Sequence, residues 1–587
     1  MSDKLSAKKQ TIEGLFKIED KNYIIPEYQR PYSWGKELCE ALWNDLVEFA
    51  ESPAAKKTDS YYFLGTIVSY ENDENNLEVI DGQQRITSLL LMLRAFYHKL
   101  EGMDTDDDEV VGLMTTLGEC IWKVNKMSKK VKDKTKVHVV SRVASKTHNE
   151  IFHKILETGN SDINAKDNYS QNYQLFQSKY NDYVNKNPNR WKDLCLNIIQ
   201  GGVVLPILCS DQETALTIFS KLNDSGLPLT DSDIFKAKLY RYYSEDYREW
   251  LLENWDDLTE ICEKAGFKLD DVFQYYMRIL LAKENDKSTT KIGLRKFYAD
   301  DGSYKRLEEK NLIENIVDLA NFWYYVNKLV EPEDECYKFS ISNWQYLHCL
   351  LCYSNELWKL VVSVFFIKNK ENKNFSTEFD VLLKKLIAYL FVKYIEMPNA
   401  DAVKSDIYNA CISIYHNNKF IDFSLDDKAI DLLKNKISDT NSTKIAKPLL
   451  LLHAYLNPNQ TDLIPNKFQI EHILPKKWKT ANYNGWTEED AKEYMDYFGN
   501  KVVIEKKPNI QAGNKYFGRK KEDYKKSGIA NVLDLSKYKE DDWFIEDIEK
   551  REKIFINDLI KFFKEQLPPK KENEKVMSKS SNKKKKR

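Results

Sequence analysis

The sequence predicts a predominantly helical α+β chain whose strands are confined to its two ends. Three observations carry this reading. Only 19 glycines and 15 prolines interrupt 587 residues. Long stretches such as Trp250–Lys283 repeat apolar residues at the helical period. Runs of β-branched and aromatic residues gather near each end.

Taken along the chain, Tyr61–Tyr70 (YYFLGTIVSY) and Leu77–Ile80 (LEVI) read as two strands joined by a polar turn, a hairpin. A helix is expected from about Gln84 to Leu100, and the acidic stretch 103–109 as a loop. Phe219–Lys236 (FSKLNDSGLPLTDSDIFK) carries Asn223 and Gly226 ahead of a helix start at Thr230 to Asp233, which reads as capping. Residues 241–445 form an aromatic-rich helical middle without a strong motif, and Pro458 and Pro465 mark the start of a last globular unit. In that unit Phe468–Lys477 (FQIEHILPKK) is a short strand stopped by Pro475. Gly499–Ile504 is a second strand, and YFGRKKEDYKKS follows as a helix, giving a ββα unit. Lys570–Arg587 holds nine basic and two acidic residues in a chain of net charge −2, with nothing apolar enough to bury, and is expected to be disordered.

Composition excludes several classes. No apolar run approaches the roughly 20 residues needed to span a bilayer, and the N-terminus shows no secretory pattern, which predicts a cytoplasmic protein. Nine dispersed cysteines do not make a disulfide framework. Cys349 and Cys352, beside His348, have redox or zinc spacing, but they sit in an apolar helical run and read as buried free thiols. Neither a P-loop nor a Rossmann fingerprint is present, so any nucleoside triphosphate must use another pocket.

One such pocket is suggested by Ile25–Trp34 (IPEYQRPYSW) and by Asp81–Arg85 (DGQQR), which lies between a strand and a helix. Gly82 permits close backbone approach, and the helix N-terminus after it offers N–H groups to a phosphate. Arg30 and Arg85 are candidate bidentate donors, Asp81 a base or holder of a metal-bound water, and Gln29, Gln83 and Gln84 polar lining, with Gln83 or Gln84 placed to orient water. The same Asp-Gly turn is also ordinary capping chemistry.

In the C-terminal unit, Glu471-His472 on one strand, Asn500 at the second and Asn509 beyond it resemble the HNH (His-Me finger) nucleases. EHILP, then GN, then N-x-x-F-x-x-K (Asn514 to Lys520) resembles the C-terminal nuclease domain of the GmrSD family of type IV, modification-dependent restriction endonucleases. The span from GNKVV to Asn509 is also similar to the HNH domain of RNA-guided CRISPR nucleases, with Glu471 where those carry Asp. At the other end IP-x-YQRPYSW, YFLGTIV and VIDGQQRITSLLLML resemble the GmrSD N-terminal domain, similar to the ParB/sulfiredoxin fold and associated with nucleotide binding and hydrolysis.

The resemblance implies four segments: 1–240 a ParB/sulfiredoxin-like nucleotide-binding domain, 241–445 a helical connection, 446–567 a ββα-metal HNH domain and 568–587 a basic tail. It implies an endonuclease with NTPase activity that cuts modified phage DNA in antiviral defence. His472 would take a proton from water, Asn500 would orient its ring, and Lys520 would neutralise phosphate. Glu471 and Asn509 would ligate Mg²⁺ or Mn²⁺, while Asn514, Arg519, Lys521 and Lys525 would contact DNA. Double-stranded DNA and an NTP are the expected partners, with no membrane, and a homo-oligomer is left open. The alternatives are a nucleotide-gated DNA-binding regulator that does not cut, or a nuclease acting on RNA or nicking without NTP control.

Overall fold

The computed structural model describes residues 5–568 apart from 19–20, 57–59, 104–106, 126, 144–145, 223–229, 289–291, 300–303, 333–336, 418–426 and 480–482. The basic tail from 569 onward, with Asn223 and Gly226, lies outside the described residues. The chain divides into two compact units, Met1–Asp257 and Leu258–Arg587, and helix predominates, as expected.

The first unit is built on a mixed sheet. Its strands are β1 (Leu5–Ala7), β2 (Gln10–Thr11), β3 (Tyr23–Ile25), β4 (Tyr62–Glu71), β5 (Leu77–Asp81), β6 (Val139–Ser141) and β7 (Gly202–Cys209). They are ordered β1-β7-β4-β5-β3-β6, with β2 also on β7. β4 and β5 form the expected antiparallel hairpin, while β4 runs parallel to β7, and β3 parallel to β5 and β6. The helix Gln83–Glu101 leaves β5 directly, and Leu89–Leu93 on it are fully buried. A helix that is apolar on every side belongs inside a core.

β7 was not among the expected strands, and Pro206 within GVVLPILC is a residue seldom found in a strand interior. The register resolves this: β1 pairs with Ile207–Cys209 and β2 with Val203–Val204, so the break between them falls opposite Leu205–Pro206. On that side the missing N–H costs no ladder bond, while on the other Pro206 is registered to Ile67 of β4. Thr230 caps the helix Asp231–Tyr242 through a capping box with Asp233, as expected.

The second unit is helical up to β8 (Phe468–His472) and β9 (Lys501–Glu505), an antiparallel pair. Its aromatic residues pack on one another: Phe322 stacks on Phe366 at 4.3 Å, and Phe365 on Phe379. Cys349 is buried and Cys352 partly so, and both are free thiols. No helix among the described residues is long and apolar enough to cross a membrane.

His348 lies fully buried behind β8, edge-on to Phe468, with Nδ1 2.7 Å from the Tyr455 hydroxyl. That hydroxyl accepts from Ile464 N at 3.1 Å, so its proton goes to the ring. Burial, and then the charge of Lys447, push the imidazole down to about 4 from 6.5. A base depressed on folding binds fewer protons in the folded state, so stability is lost as pH falls below the unfolded value of 6.5 and continues to fall towards 4. His348→Gln keeps an acceptor but does not titrate. Its loss of unfolding free energy between pH 7 and pH 5 is expected to be about 2 kcal/mol smaller than that of the wild type, measured by urea titration at both pH values.

Candidate functional site

The N-terminal residues singled out in the sequence converge. Gly82 sits at φ +93°, and a Cβ there would fall 2.9 Å from Ile67 Cγ1, so the strand-to-helix turn demands glycine. Gln83 Nε2 donates to Gln29 Oε1 at 2.9 Å, and Gln29 Nε2 donates to Ile80 O at 3.2 Å. Gln84 Oε1 accepts from Ser33 N at 2.7 Å and Trp34 N at 3.2 Å, while its Nε2 donates to Pro31 O. The DGQQR helix start thus fastens the IPEYQRPYSW segment.

This corrects the glutamine assignment. Both ends of the Gln84 amide are spent on backbone, so it is not placed to orient a water, and Gln83 spends its Nε2 on Gln29. Arg85 is also partly committed: its Nη1 donates to Thr66 O at 2.7 Å, and its guanidinium lies over Gly65, where a Cβ would come 2.9 Å from Nη2. Asp81 remains the chemically distinctive group. Burial pushes its carboxyl above the ordinary range, opposed by Arg85, the Gly82 N–H and Arg30. The pattern is one buried acid in the field of two guanidinium groups, next to a helix N-terminus.

In the C-terminal unit, His472 ends β8 and faces Lys501 across the strand pair. Its ring is 15% exposed, and Nε2 has no hydrogen-bond partner among the described residues; Asp496 Oδ1 is 3.6 Å away. Burial, then the charges of Lys501 and Lys476, drive the imidazole down to about 4, against the pull of Asp496. The ring is therefore neutral at neutral pH, the state in which a nitrogen lone pair can accept a proton.

The turn before β9 is over-determined. Asn500, fully buried, accepts from Leu474 N at 2.8 Å through Oδ1 and donates to Leu474 O and Met495 O through Nδ2. It does not touch the His472 ring; it holds the backbone that follows His472, which corrects the expected role. Gly499 N donates to Glu552 Oε2 at 2.7 Å, and Arg551 Nη1 donates to Gly499 O at 2.6 Å, both partners from the helix Ile545–Gln566. A Cβ on Gly499 would lie 2.0 Å from Ile548 O, so only glycine fits against that helix.

Lys520 departs furthest from expectation. It is fully buried on the helix Phe517–Tyr524, with Nζ 2.6 Å from Glu471 Oε1 and 2.8 Å from His472 O. Tyr524, one turn along, donates to the same Glu471 oxygen at 2.9 Å. Burial pushes the Glu471 carboxyl up and the Lys520 ammonium down, and their mutual attraction opposes both shifts. Lys520 therefore cannot meet a phosphate. Lys521 cannot either: it is buried and donates to Tyr538 O and Glu540 O, with Asp541 at 2.5 Å.

The expected metal pair does not fit a hard cation as placed. Mg²⁺ needs an open near-octahedral oxygen shell, but Glu471 is engaged by an ammonium and a phenol. Asn509, on the helix Lys506–Ala512, turns its Nδ2 onto Gln469 Oε1 at 2.6 Å. Among the described residues no group of three or more His, Cys, Asp or Glu is able to hold a metal ion. Asn514 and Arg519 are exposed, and Lys525 is exposed beside Glu522. The sequence reading missed Asp496, Lys501, Tyr524, Arg551 and Glu552. Only Tyr524 carried a local signal, its i+4 spacing from Lys520.

Two family models match the chain. The one described as GmrSD restriction endonuclease, N-terminal domain, covers residues 12–240, and the one described as GmrSD restriction endonucleases, C-terminal domain, covers 423–557. No curated protein matches it.

Proposed function

The chain belongs to the GmrSD family of type IV restriction endonucleases, and from that premise we propose that it hydrolyses DNA phosphodiester bonds in an HNH-type site with His472 as general base. The observation that carries this is the His472 ring itself: neutral, 15% exposed, and set at a strand end whose following backbone is pinned by Asn500. Lys476, whose charge acts on the ring, and the exposed Lys477, Lys479 and Arg519 of the same unit supply charge for a phosphate backbone. The target is modified foreign DNA, as of a phage. Mg²⁺ or Mn²⁺ and an NTP belong to the same proposal, although a divalent ion would need ligands other than Glu471 and Asn509 as they are placed.

NTP control is assigned to the Asp81, Arg30 and Arg85 cluster at the helix N-terminus. Arg30→Ala removes one charged donor and is expected to weaken NTP binding roughly tenfold or more, since hydrogen bonds to charged groups contribute about 1.5–3 kcal/mol. Equilibrium binding of a labelled NTP checks this. Unchanged affinity would remove the cluster from nucleotide binding.

The test of the function is cleavage of modified phage DNA and matched unmodified DNA, with each divalent ion and each NTP in turn. Cutting confined to the modified DNA supports the proposal. The saturated Glu471 favours a second reading, a DNA-binding regulator that does not cut; retained binding without cutting under every condition would select it.

A further inference from the structure

The site as described leaves Asp496 without a role. It lies four residues before Asn500, with Oδ1 2.9 Å from Lys501 Nζ and 3.6 Å from His472 Nε2. Lys501 is 6% exposed and is fixed at its other side, where Nζ donates to Asn441 O at 2.9 Å. Three side chains thus stand in line, with the carboxylate in the middle.

We propose that Asp496 is the positioning residue for His472: its carboxylate takes the Nε2–H, so that the lone pair resides on Nδ1 and is the one offered to water. A neutral imidazole has one donor and one acceptor nitrogen. A carboxylate only accepts, so the nitrogen facing it must carry the proton. The charged groups that act on the ring are Lys501, Lys476 and Asp496. The two lysines only donate, and Asp496 alone of the three satisfies an N–H. The separation of 3.6 Å is longer than a hydrogen bond, as such contacts often are before substrate arrives, and a small swing of the ring closes it.

Lys501 holds the half-exposed carboxylate beside the ring. Because its anchor Asn441 follows the helix Asp427–Ser438, the helical middle of the chain supports the ring's orientation through two side chains. The proposal rests on His472 being the general base, and its test separates the two ideas.

The full chain, labelled with ¹⁵N-histidine, reports the His472 tautomer by NMR, the signal being assigned by its loss in His472→Gln. The wild type is expected as the Nε2–H tautomer, Asp496→Ala as a mixture, and Asp496→Glu as the wild type. In cleavage assays Asp496→Ala is expected to lower kcat roughly 10- to 100-fold, the scale for groups that orient a working histidine, with KM for DNA unchanged and Asp496→Glu restoring most of the loss. An unaltered tautomer in Asp496→Ala, or a higher KM with kcat intact, would overturn the proposal. If the wild type cuts nothing, the general-base reading fails while the tautomer still decides whether Asp496 holds the ring.

Discussion

His472→Ala is expected to leave the protein folded and DNA-binding but to reduce cleavage about 10²–10⁴-fold, the usual contribution of a general base. The ring is well suited to that loss. Its pKa of about 4 keeps it neutral at neutral pH, and Asp496, its nearest acceptor, keeps its bond to Lys501 when the ring is removed. Gel analysis of cut DNA gives the rate, and circular dichroism with a filter-binding titration shows that fold and affinity persist. Cleavage at the wild-type rate would move the proton acceptor elsewhere in the chain.

Lys520→Met acts on stability instead. It leaves the Glu471 carboxylate, 6% exposed, with its cation removed and the Tyr524 hydroxyl as the remaining side-chain donor to Oε1. Breaking a buried ion pair from one side typically costs about 3–5 kcal/mol, because the remaining charge is uncompensated. Adding Glu471→Gln neutralises that charge, and the double variant is expected to recover most of the loss in a urea denaturation series. Unchanged stability in the single variant, together with weakened DNA binding, would return Lys520 to the phosphate.

The residues show how much of this was legible beforehand. The hairpin of β4 and β5, the helix after Gly82 and the pair β8 and β9 all follow from alternation and turn chemistry, which are local. β7 was not read as a strand, and its Pro206 lies opposite the gap between β1 and β2, a fact of register. Asn500 was recognised as important, but its partner was misjudged: motif spacing tells that an amide is needed without telling which group it binds. Lys520 was chosen for its charge in a basic run, yet burial, which no short motif reports, turns it inward to Glu471. Arg551 and Glu552 were invisible because they reach the Gly499 turn from about fifty residues away.

That distance sets an order of assembly. The backbone of Gly499 is held by two side chains of a helix that is synthesised only after the strand it serves, and the glycine's bare Cα is what lets that helix seat. A nascent chain that has released β8 and β9 but not residues 545–566 carries His472 on an unlocked turn. The proposed cutting site is therefore complete only once that helix has been made and seated.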